Sequence, residues 1–244
     1  MREYIKLPKT KFLSDSRSEL RKLSDEDWKN HIFSHLLRFY KEADSNEIIK
    51  LIEDAKEKKP SNIEEVIKKK IKKWLINDRR FNMHDFIINR EPSSDGKVDG
   101  FYDLKFEHSQ WKHKYFAFEC KNLDKTETSI KEYVYNKAGD DGGVYRYVTC
   151  KYAAELDFGG MIGFVLEGNE NGIISKIINK LHSTFDDNEI GKLAKKGIIE
   201  NSIEGNPNTF DSIHLRQQRV DRNGQTFKLH HLIFDMQYKI KPSP

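Results

Sequence analysis

Cysteine is scarce in this sequence, and the patterns that bind zinc or nucleotide phosphates are missing. The 244 residues include only two cysteines, Cys120 and Cys150, which form neither a CxxC pair nor a disulfide framework. The HExxH zinc pattern, the G-x-G-x-x-G loop and the Walker A loop do not occur. The sequence therefore argues against a disulfide-rich secreted domain, a histidine-based zinc site and ATP use by this chain.

Long apolar runs and an excess of one charge are also missing. No window approaches the roughly 18 apolar residues of a membrane span, and the opening stretch MREYIKLPKT lacks the apolar core of a signal peptide. We therefore expect a cytoplasmic protein without a membrane partner. Because 43 Lys and Arg against 39 Asp and Glu leave a net charge of only +4, a polyanion would need a local basic patch.

Apolar periodicity divides the chain into a helical region, residues 1–80, and an α/β core, residues 81–244, which together are expected to form one compact unit. Three helices of the first region are preceded by capping-box patterns, in which Ser24 pairs with Asp27, Asp44 with Glu47, and Ser61 with Glu64. The third helix also carries the lysine run Lys68 to Lys73. We interpret this run as a solvated helix face, with phosphate contact through Lys69 and Lys72 as the alternative.

The second region begins with three short extended runs. DFIINRE, VDGFYDLKFEH and YFAFEC are separated by PSSDG and SQWKHK, which carry turn residues, so these runs predict a three-stranded meander. The pattern then predicts a helix over 126–138 and leaves VYRYVTCKYAAEL open between helix and strand. The run GGMIGFVLEG is typical of a strand covered on both faces.

The remainder of the chain predicts two more helices and a hairpin. The first helix is marked by Ile174, Ile177, Ile178 and Leu181, and a shorter one is expected near 190–194. SIHLRQQRV and TFKLHHLIFDM flank Asn223 and Gly224, which suit a two-residue type I′ turn. The predicted fold class is therefore α/β, with a central mixed β-sheet flanked by helices, an N-terminal helical region and a C-terminal β-hairpin.

A carboxylate and an ammonium end the apolar run YFAFEC. Alternation along a strand places Glu119 and Lys121 on one face. Asp103 lies on the preceding predicted strand, and the SQWKHK turn can bring it beside Glu119. Mg²⁺ binds one or two carboxylates, waters and phosphate oxygens, and a neighbouring lysine can orient the attacking water. This set of groups is suited to cleaving a phosphodiester.

These residues resemble the PD-(D/E)xK nuclease superfamily, which has the restriction-endonuclease-like fold. The resemblance implies that Asp103 and Glu119 bind the metal and that Lys121 is the catalytic lysine. Tyr102 stands where the family has its signature proline. The implied activity is cleavage of nucleic acid, DNA rather than RNA, with Mg²⁺ or Mn²⁺ as cofactor.

The resemblance also implies a role in restriction or phage defence, with protein partners or a homo-oligomer left open. The alternative function is an inactive, nuclease-like subunit that binds nucleic acid or supports a larger complex. Asp99 is the alternative first acid, and Asp103 with Lys105 forms a rival D-x-K triplet. Glu91 is a candidate accessory acid, and Glu64 is a further one, although its place in a capping box already explains it.

Basic and imidazole side chains complete the candidates. Arg146 lies among tyrosines and suits phosphate contact or base stacking. In the predicted hairpin Arg216 stands opposite His231, and these two residues with His214 share one face. We expect this group to bind phosphate or to support the active site from the neighbouring sheet.

Overall fold

The sheet is mixed and contains seven strands in the order β1-β2-β3-β4-β7-β6-β5. The computed structural model describes residues 24–89, 101–111, 114–187, 189–216 and 225–237. The strands are β1 (Ile87–Asn89), β2 (Leu104–Glu107), β3 (Phe116–Leu123), β4 (Phe158–Val165), β5 (Lys192–Glu200), β6 (Thr209–Arg216) and β7 (Gln225–Asp235). The predicted α/β class with a central mixed sheet flanked by helices is confirmed.

Seven α-helices occur among the described residues. They are α1 (Asp25–Glu42), α2 (Ser45–Lys58), α3 (Ile63–Asn77), α4 (Arg79–Asn82), α5 (Glu127–Tyr133), α6 (Gly143–Val148) and α7 (Glu170–Phe185). Their buried side chains and those of the sheet form one hydrophobic cluster, so the helical region 24–80 packs directly on the core. No helix in the described ranges is long and apolar enough to cross a membrane.

Two of the three predicted helix caps are confirmed. Ser24 and Asp27 form a reciprocal capping box at the start of α1, and the side chain of Asp44 accepts two backbone hydrogen bonds at the start of α2. The third cap is wrong, because the 3₁₀ turn Pro60–Asn62 leads into α3 without a side-chain cap. The side chain of Glu64 therefore does not cap the helix and makes other contacts, which include Lys68 at 3.6 Å.

The predicted meander and the buried strand are confirmed. β1, β2 and β3 pair antiparallel in sequence, and β4 runs parallel to both β3 and β7. Every residue of β4 is buried, as expected for a central strand covered on both faces. Glu91 and Asp99 lie outside the described residues.

Local structure between β3 and β5 differs from three predictions. The helix predicted over 126–138 ends at Tyr133, since Asn136 and Asp141 bridge to form a tight turn. The undecided segment, 144–156, is helical only in α6, which ends at Val148, and continues as turns. The short helix predicted near 190–194 is wrong, because these residues enter β5, which pairs with β6 across a bulge. A tertiary pairing partner outweighs weak helical periodicity in such a short segment.

The terminal hairpin is confirmed, but its predicted pairing is wrong. Arg216 pairs with Gln225 instead of His231, and His231 pairs with Phe210. The proposed Asn223-Gly224 turn lies outside the described residues. Since the pairing differs by an even number of residues, Arg216 and His231 still share a face. β6 and β7 belong to the same sheet as β3, not to a neighbouring one.

Candidate active site

The site forms where β2 begins beside the middle of β3. Just before β2, the backbone N–H of Asp103 donates to the carbonyl of Phe118 at 3.1 Å. The Asp103 carboxylate then accepts the backbone N–H of Cys120 at 2.6 Å. A side chain thus replaces the backbone of a strand as the hydrogen-bond partner of β3. The pairing of β2 with β3 does not extend beyond Leu104 and Phe118. Groups from other elements can therefore approach Glu119.

Glu119 and Lys121 lie side by side on β3. Glu119 is only 1% exposed, and its Oε1 atom is 2.7 Å from Nζ of Lys121. The same oxygen accepts a hydrogen bond of 2.6 Å from a guanidinium nitrogen of Arg146. A buried carboxylate in contact with two cations is well compensated electrostatically.

A backbone hydrogen bond places Asp103 in the same cluster, because its carboxylate accepts the N–H of Cys120, the residue between Glu119 and Lys121. Burial and the charge of Asp103 together raise the pKa of Glu119 to about 7, against the opposing effects of Lys121 and Arg146. Burial disfavours the charged ammonium of Lys121, but Glu119, Glu64 and Asp103 together hold its pKa above the ordinary value. The structure therefore brings Asp103, Glu119 and Lys121 together.

Helix α3 contributes Glu64, a further candidate acid from sequence, and Lys68, which was not assigned to the site from sequence. Lys68 is 5% exposed, and its ammonium contacts the Asp103 carboxylate. It also lies 3.6 Å from Glu64. Burial raises the pKa of Glu64, and Asp103 raises it further while Lys121 lowers it. Lys68 follows the buried Ile67, but Lys70 and Lys72 flank the buried Ile71 in the same way, so adjacency to an apolar residue does not single out Lys68.

The rest of the lysine run divides into the exposed Lys69 and Lys73 and the half-buried Lys70 and Lys72. Lys69 has an exposed side chain that pairs with Glu65 at 3.2 Å, and Lys70 pairs with Glu47 on α2. Lys72 is half-buried. The interpretation of the run as a solvated face is wrong for Lys68, and Lys69 and Lys72 keep side chains that can reach a ligand.

The rival D-x-K triplet uses its lysine elsewhere. Nζ of Lys105 lies 2.9 Å from Glu107 on the same strand and 4.4 Å from the centre of the Tyr115 ring. Lys121, by contrast, touches Glu119 directly. The geometry favours Lys121 as the lysine of the site.

Arg216 does not have the accessibility that a nucleic-acid contact needs. It is 6% exposed, and its guanidinium donates to the carbonyls of Ala153, Leu156 and Tyr152 at 2.8 to 3.1 Å. It also stacks over Phe227 at 3.6 Å. The predicted phosphate contact is therefore wrong in this structure, since the guanidinium fixes the segment that follows α6.

His214 and His231 form part of a buried hydrogen-bonded chain. The order is Tyr133 Oη, His231, Ser212 Oγ, His214 and the carbonyl of Gly191, with distances of 2.8 to 3.0 Å. Because the Gly191 carbonyl only accepts, Nδ1 of His214 carries a proton. Burial lowers the pKa of both histidines, and with both rings neutral this proton fixes the donor of every other hydrogen bond in the chain. Both histidines are completely buried. Their predicted phosphate contact is wrong, and their role is to join α5, β7 and β6.

A second group of histidines was not predicted from the sequence. His31 and His35 are four residues apart on α1, a spacing that places both rings on one helix face. The ring of His84 lies 3.9 Å from that of His31, and Nδ1 of His35 is 3.0 Å from Asp78. Burial lowers the pKa of His31 to about 3 and also lowers the pKa of His35 and of His84, and the ring of His31 packs against both of the others.

The carboxylates of the site suit a hard cation that takes only a few of its ligands from the protein. The described residues contain no group of three or more His, Cys, Asp or Glu side chains arranged to hold a metal ion. Mg²⁺ usually takes only one or two protein carboxylates and completes its shell with waters and phosphate oxygens. Asp103 and Glu119 supply two carboxylates of this kind, so the residues present fit such an ion.

No family model matches the chain, and comparisons with curated proteins and with solved structures found no similar protein.

Proposed function

We propose that this chain is a divalent-metal-dependent nuclease that hydrolyses phosphodiester bonds. The observation that supports the proposal is the meeting of Asp103, Glu119 and Lys121 at the point where β2 begins. Two acids and one lysine at the edge of a strand form a complete set for metal-assisted phosphodiester hydrolysis.

Each side chain has a distinct part in this proposal. Asp103 and Glu119 would hold the cation. When bound, such an ion supplies Lewis-acid stabilisation of the charge on the phosphate. Lys121, with three N–H donors, orients the attacking water. The water oxygen bonds to phosphorus, one ester P–O bond breaks, and the two water protons pass to the leaving oxygen and to solvent. Lys68 compensates the charge of Asp103 from the side of α3.

The substrate class and the biological setting rest on the resemblance to the PD-(D/E)xK nucleases. We propose DNA in preference to RNA as substrate, cytoplasmic action in restriction or phage defence, and activation or targeting by a protein partner. Lys69 and Lys72 flank the buried Lys68 on α3, so a nucleic-acid backbone lying over the site would pass near them.

One observation favours an inactive nucleic-acid-binding or structural subunit instead. Lys68, Lys121 and Arg146 contact the acids of the site directly, and such a network is also stable as a purely structural ion cluster. A degenerate site commonly loses one member of the set, whereas here all three are present. We therefore place the nuclease first.

The metal requirement is the most direct test. Purified protein should cleave DNA with Mg²⁺ or Mn²⁺ and not with EDTA, because both ions accept carboxylate and phosphate oxygens in near-octahedral geometry. Ca²⁺ should permit binding with little turnover, since a misplacement of about 1 Å can lower the rate about a hundredfold. Single- and double-stranded DNA and RNA are compared in the same assay.

Equal binding of nucleic acid in EDTA and Mg²⁺, with no cleavage of any of the four substrates, would favour the inactive subunit. The assay is repeated with native partner proteins before that conclusion is drawn, because a missing activator would give the same result with the purified chain. Cleavage that persists in EDTA would contradict the metal-dependent mechanism.

The lysines of α3 give a prediction about affinity. The double variant Lys69→Gln/Lys72→Gln is expected to flatten the salt dependence of DNA binding, by up to about 0.9 log units of affinity per log of salt for each phosphate that is no longer neutralised. Fluorescence anisotropy in Ca²⁺ at several salt concentrations measures the slope. The double variant Lys56→Gln/Lys58→Gln on α2 is the control, and equal slopes in both variants would mean that α3 does not contact phosphates.

A further inference from the structure

Arg146 contacts two carboxylates through separate edges of its guanidinium. Nε and one terminal nitrogen donate to the two oxygens of Asp141, at 2.8 and 2.6 Å. The other terminal nitrogen donates to Glu119 at 2.6 Å and to the hydroxyl of Tyr152 at 3.2 Å. A bidentate pair holds the planar guanidinium in one orientation. Its third edge is therefore directed at Glu119.

The glycine-rich stretch before α6 places this pair of residues. Asp141 exchanges backbone hydrogen bonds with Asn136, which folds the chain back toward the end of α5. Gly142 has φ of 155°, and a Cβ atom there would lie 2.7 Å from the backbone of Val134 and Tyr135. A Cβ on Gly143 would approach the carbonyl of Tyr133 to 2.9 Å. The two glycines therefore allow α6 to begin in contact with α5.

Tyr152 extends the same group of contacts to the other acid. Its hydroxyl donates to the carbonyl of Phe101 at 2.6 Å, two residues before Asp103. The guanidinium of Arg146 donates to that hydroxyl in turn. Arg146 thus contacts Glu119 directly and is linked through Tyr152 to the segment that carries Asp103. Hydrogen bonds from Arg146 also lower the pKa of Asp141 to about 2, so both partners are charged at neutral pH.

We propose that Arg146, oriented by Asp141, is a positioning residue that holds the Glu119 carboxylate in the orientation needed to bind a divalent cation. This role rests on the proposed nuclease function. Partners that orient a ligating carboxylate typically contribute about 10- to 100-fold to metal affinity or activity. The stretch from Gly139 to Gly143 is then a structural support of the active site and not a phosphate-binding loop.

The first test measures Mn²⁺ affinity by calorimetry without nucleic acid. Arg146→Met should weaken Mn²⁺ binding by about 10- to 100-fold. Arg146→Lys keeps the charge but lacks the fork that pairs with Asp141, so it should recover only part of the affinity. Asp141→Asn should produce a smaller loss, although Asp141 does not touch Glu119.

Arg38 provides a matched control. It also makes a bidentate pair, with Glu42, and a third contact of 2.8 Å to the half-buried Asp78. Its side chain is 20% exposed, compared with 23% for Arg146. Arg38→Met should leave Mn²⁺ affinity unchanged. Equal affinity in wild type and Arg146→Met, or complete recovery by Arg146→Lys, would overturn the positioning role while leaving the nuclease proposal intact.

A double-mutant cycle of melting temperatures, measured in EDTA, tests the contact between Arg146 and Glu119 independently of the nuclease proposal. Arg146→Met is expected to lower the melting temperature by several degrees, and this loss should shrink in a Glu119→Gln background because the partner charge is already gone. Equal losses in both backgrounds would overturn the contact with Glu119. If wild type failed to bind Mn²⁺, the nuclease proposal would fall, and the cycle would still decide whether Arg146 holds Glu119.

Discussion

Glu119→Gln is expected to lower DNA cleavage at least about a thousandfold while leaving the fold in place. The variant loses one of two carboxylates for the cation, whose stabilisation of the phosphate contributes several kcal/mol to catalysis. The fold should survive because the amide keeps the shape of Glu119, and its oxygen can still accept from Lys121 and Arg146. Loss of the carboxylate charge beside these two cations lowers stability without removing the hydrogen bonds. Cleavage rates are measured under single-turnover conditions with saturating Mg²⁺, and circular dichroism checks the fold.

Two lysine variants provide the comparison for this prediction. Lys121→Ala should bind Mn²⁺ yet cleave poorly, because it removes the group that orients the attacking water. Lys105→Ala removes the lysine of the rival triplet, which pairs with Glu107 away from the site, and should cleave close to the wild-type rate. If Glu119→Gln and Lys121→Ala both cleaved like wild type, the active centre would be misassigned.

Local patterns were sufficient to predict β3 and to place Glu119 and Lys121 on the same face of that strand. Alternation along an apolar strand depends only on backbone geometry, so Glu119 and Lys121 were correctly paired from sequence. The continuous apolar run of β4 predicted its position just as directly, because a strand that is buried on both faces has apolar residues on both faces. The position of Asp103 beside β3 followed from the short connection between neighbouring strands.

Contacts between distant parts of the chain were beyond local patterns. Lys68 is one of several adjacent lysines, and only the packing of α3 against the sheet determines which one meets Asp103. The predicted pairing of Arg216 with His231 was counted from the Asn223-Gly224 turn. The observed partner of Arg216 is Gln225, six residues away from the predicted one. Arg146 was identified from its aromatic neighbours, but the tertiary structure directs its guanidinium to Glu119.

The buried chain through His214 predicts a loss of stability in mild acid. His214 is completely buried, and burial lowers its pKa to about 4, with the nearby Arg216 lowering it further. The unfolded chain therefore binds more protons than the folded protein between about pH 6.5 and pH 4. Stability falls as pH decreases wherever this is true. The contribution of His214 to the loss reaches about 3 kcal/mol at the low end of the range.

Other groups titrate over the same range, so the wild-type slope alone does not test this contribution. Burial raises the pKa of Glu119 and of Glu170 to about 7, and the folded protein then binds more protons than the unfolded chain above about pH 4.5. These two carboxyls stabilise the fold as the pH falls and oppose the histidines. The contribution of His214 is therefore obtained from the difference between wild type and a variant without that imidazole.

His214→Gln is suited to that comparison. Its amide can donate to the carbonyl of Gly191 and accept from Ser212 without titrating. The free energy of unfolding, measured with urea between about pH 7 and pH 4.5, should fall less steeply in this variant, by up to about 1.4 kcal/mol per pH unit. His182→Gln, on the exposed surface of α7, is the matched control for losing one histidine. A slope for His214→Gln equal to that of the control would mean that the buried chain accepts a proton without unfolding, and that the assignment of its proton positions is wrong.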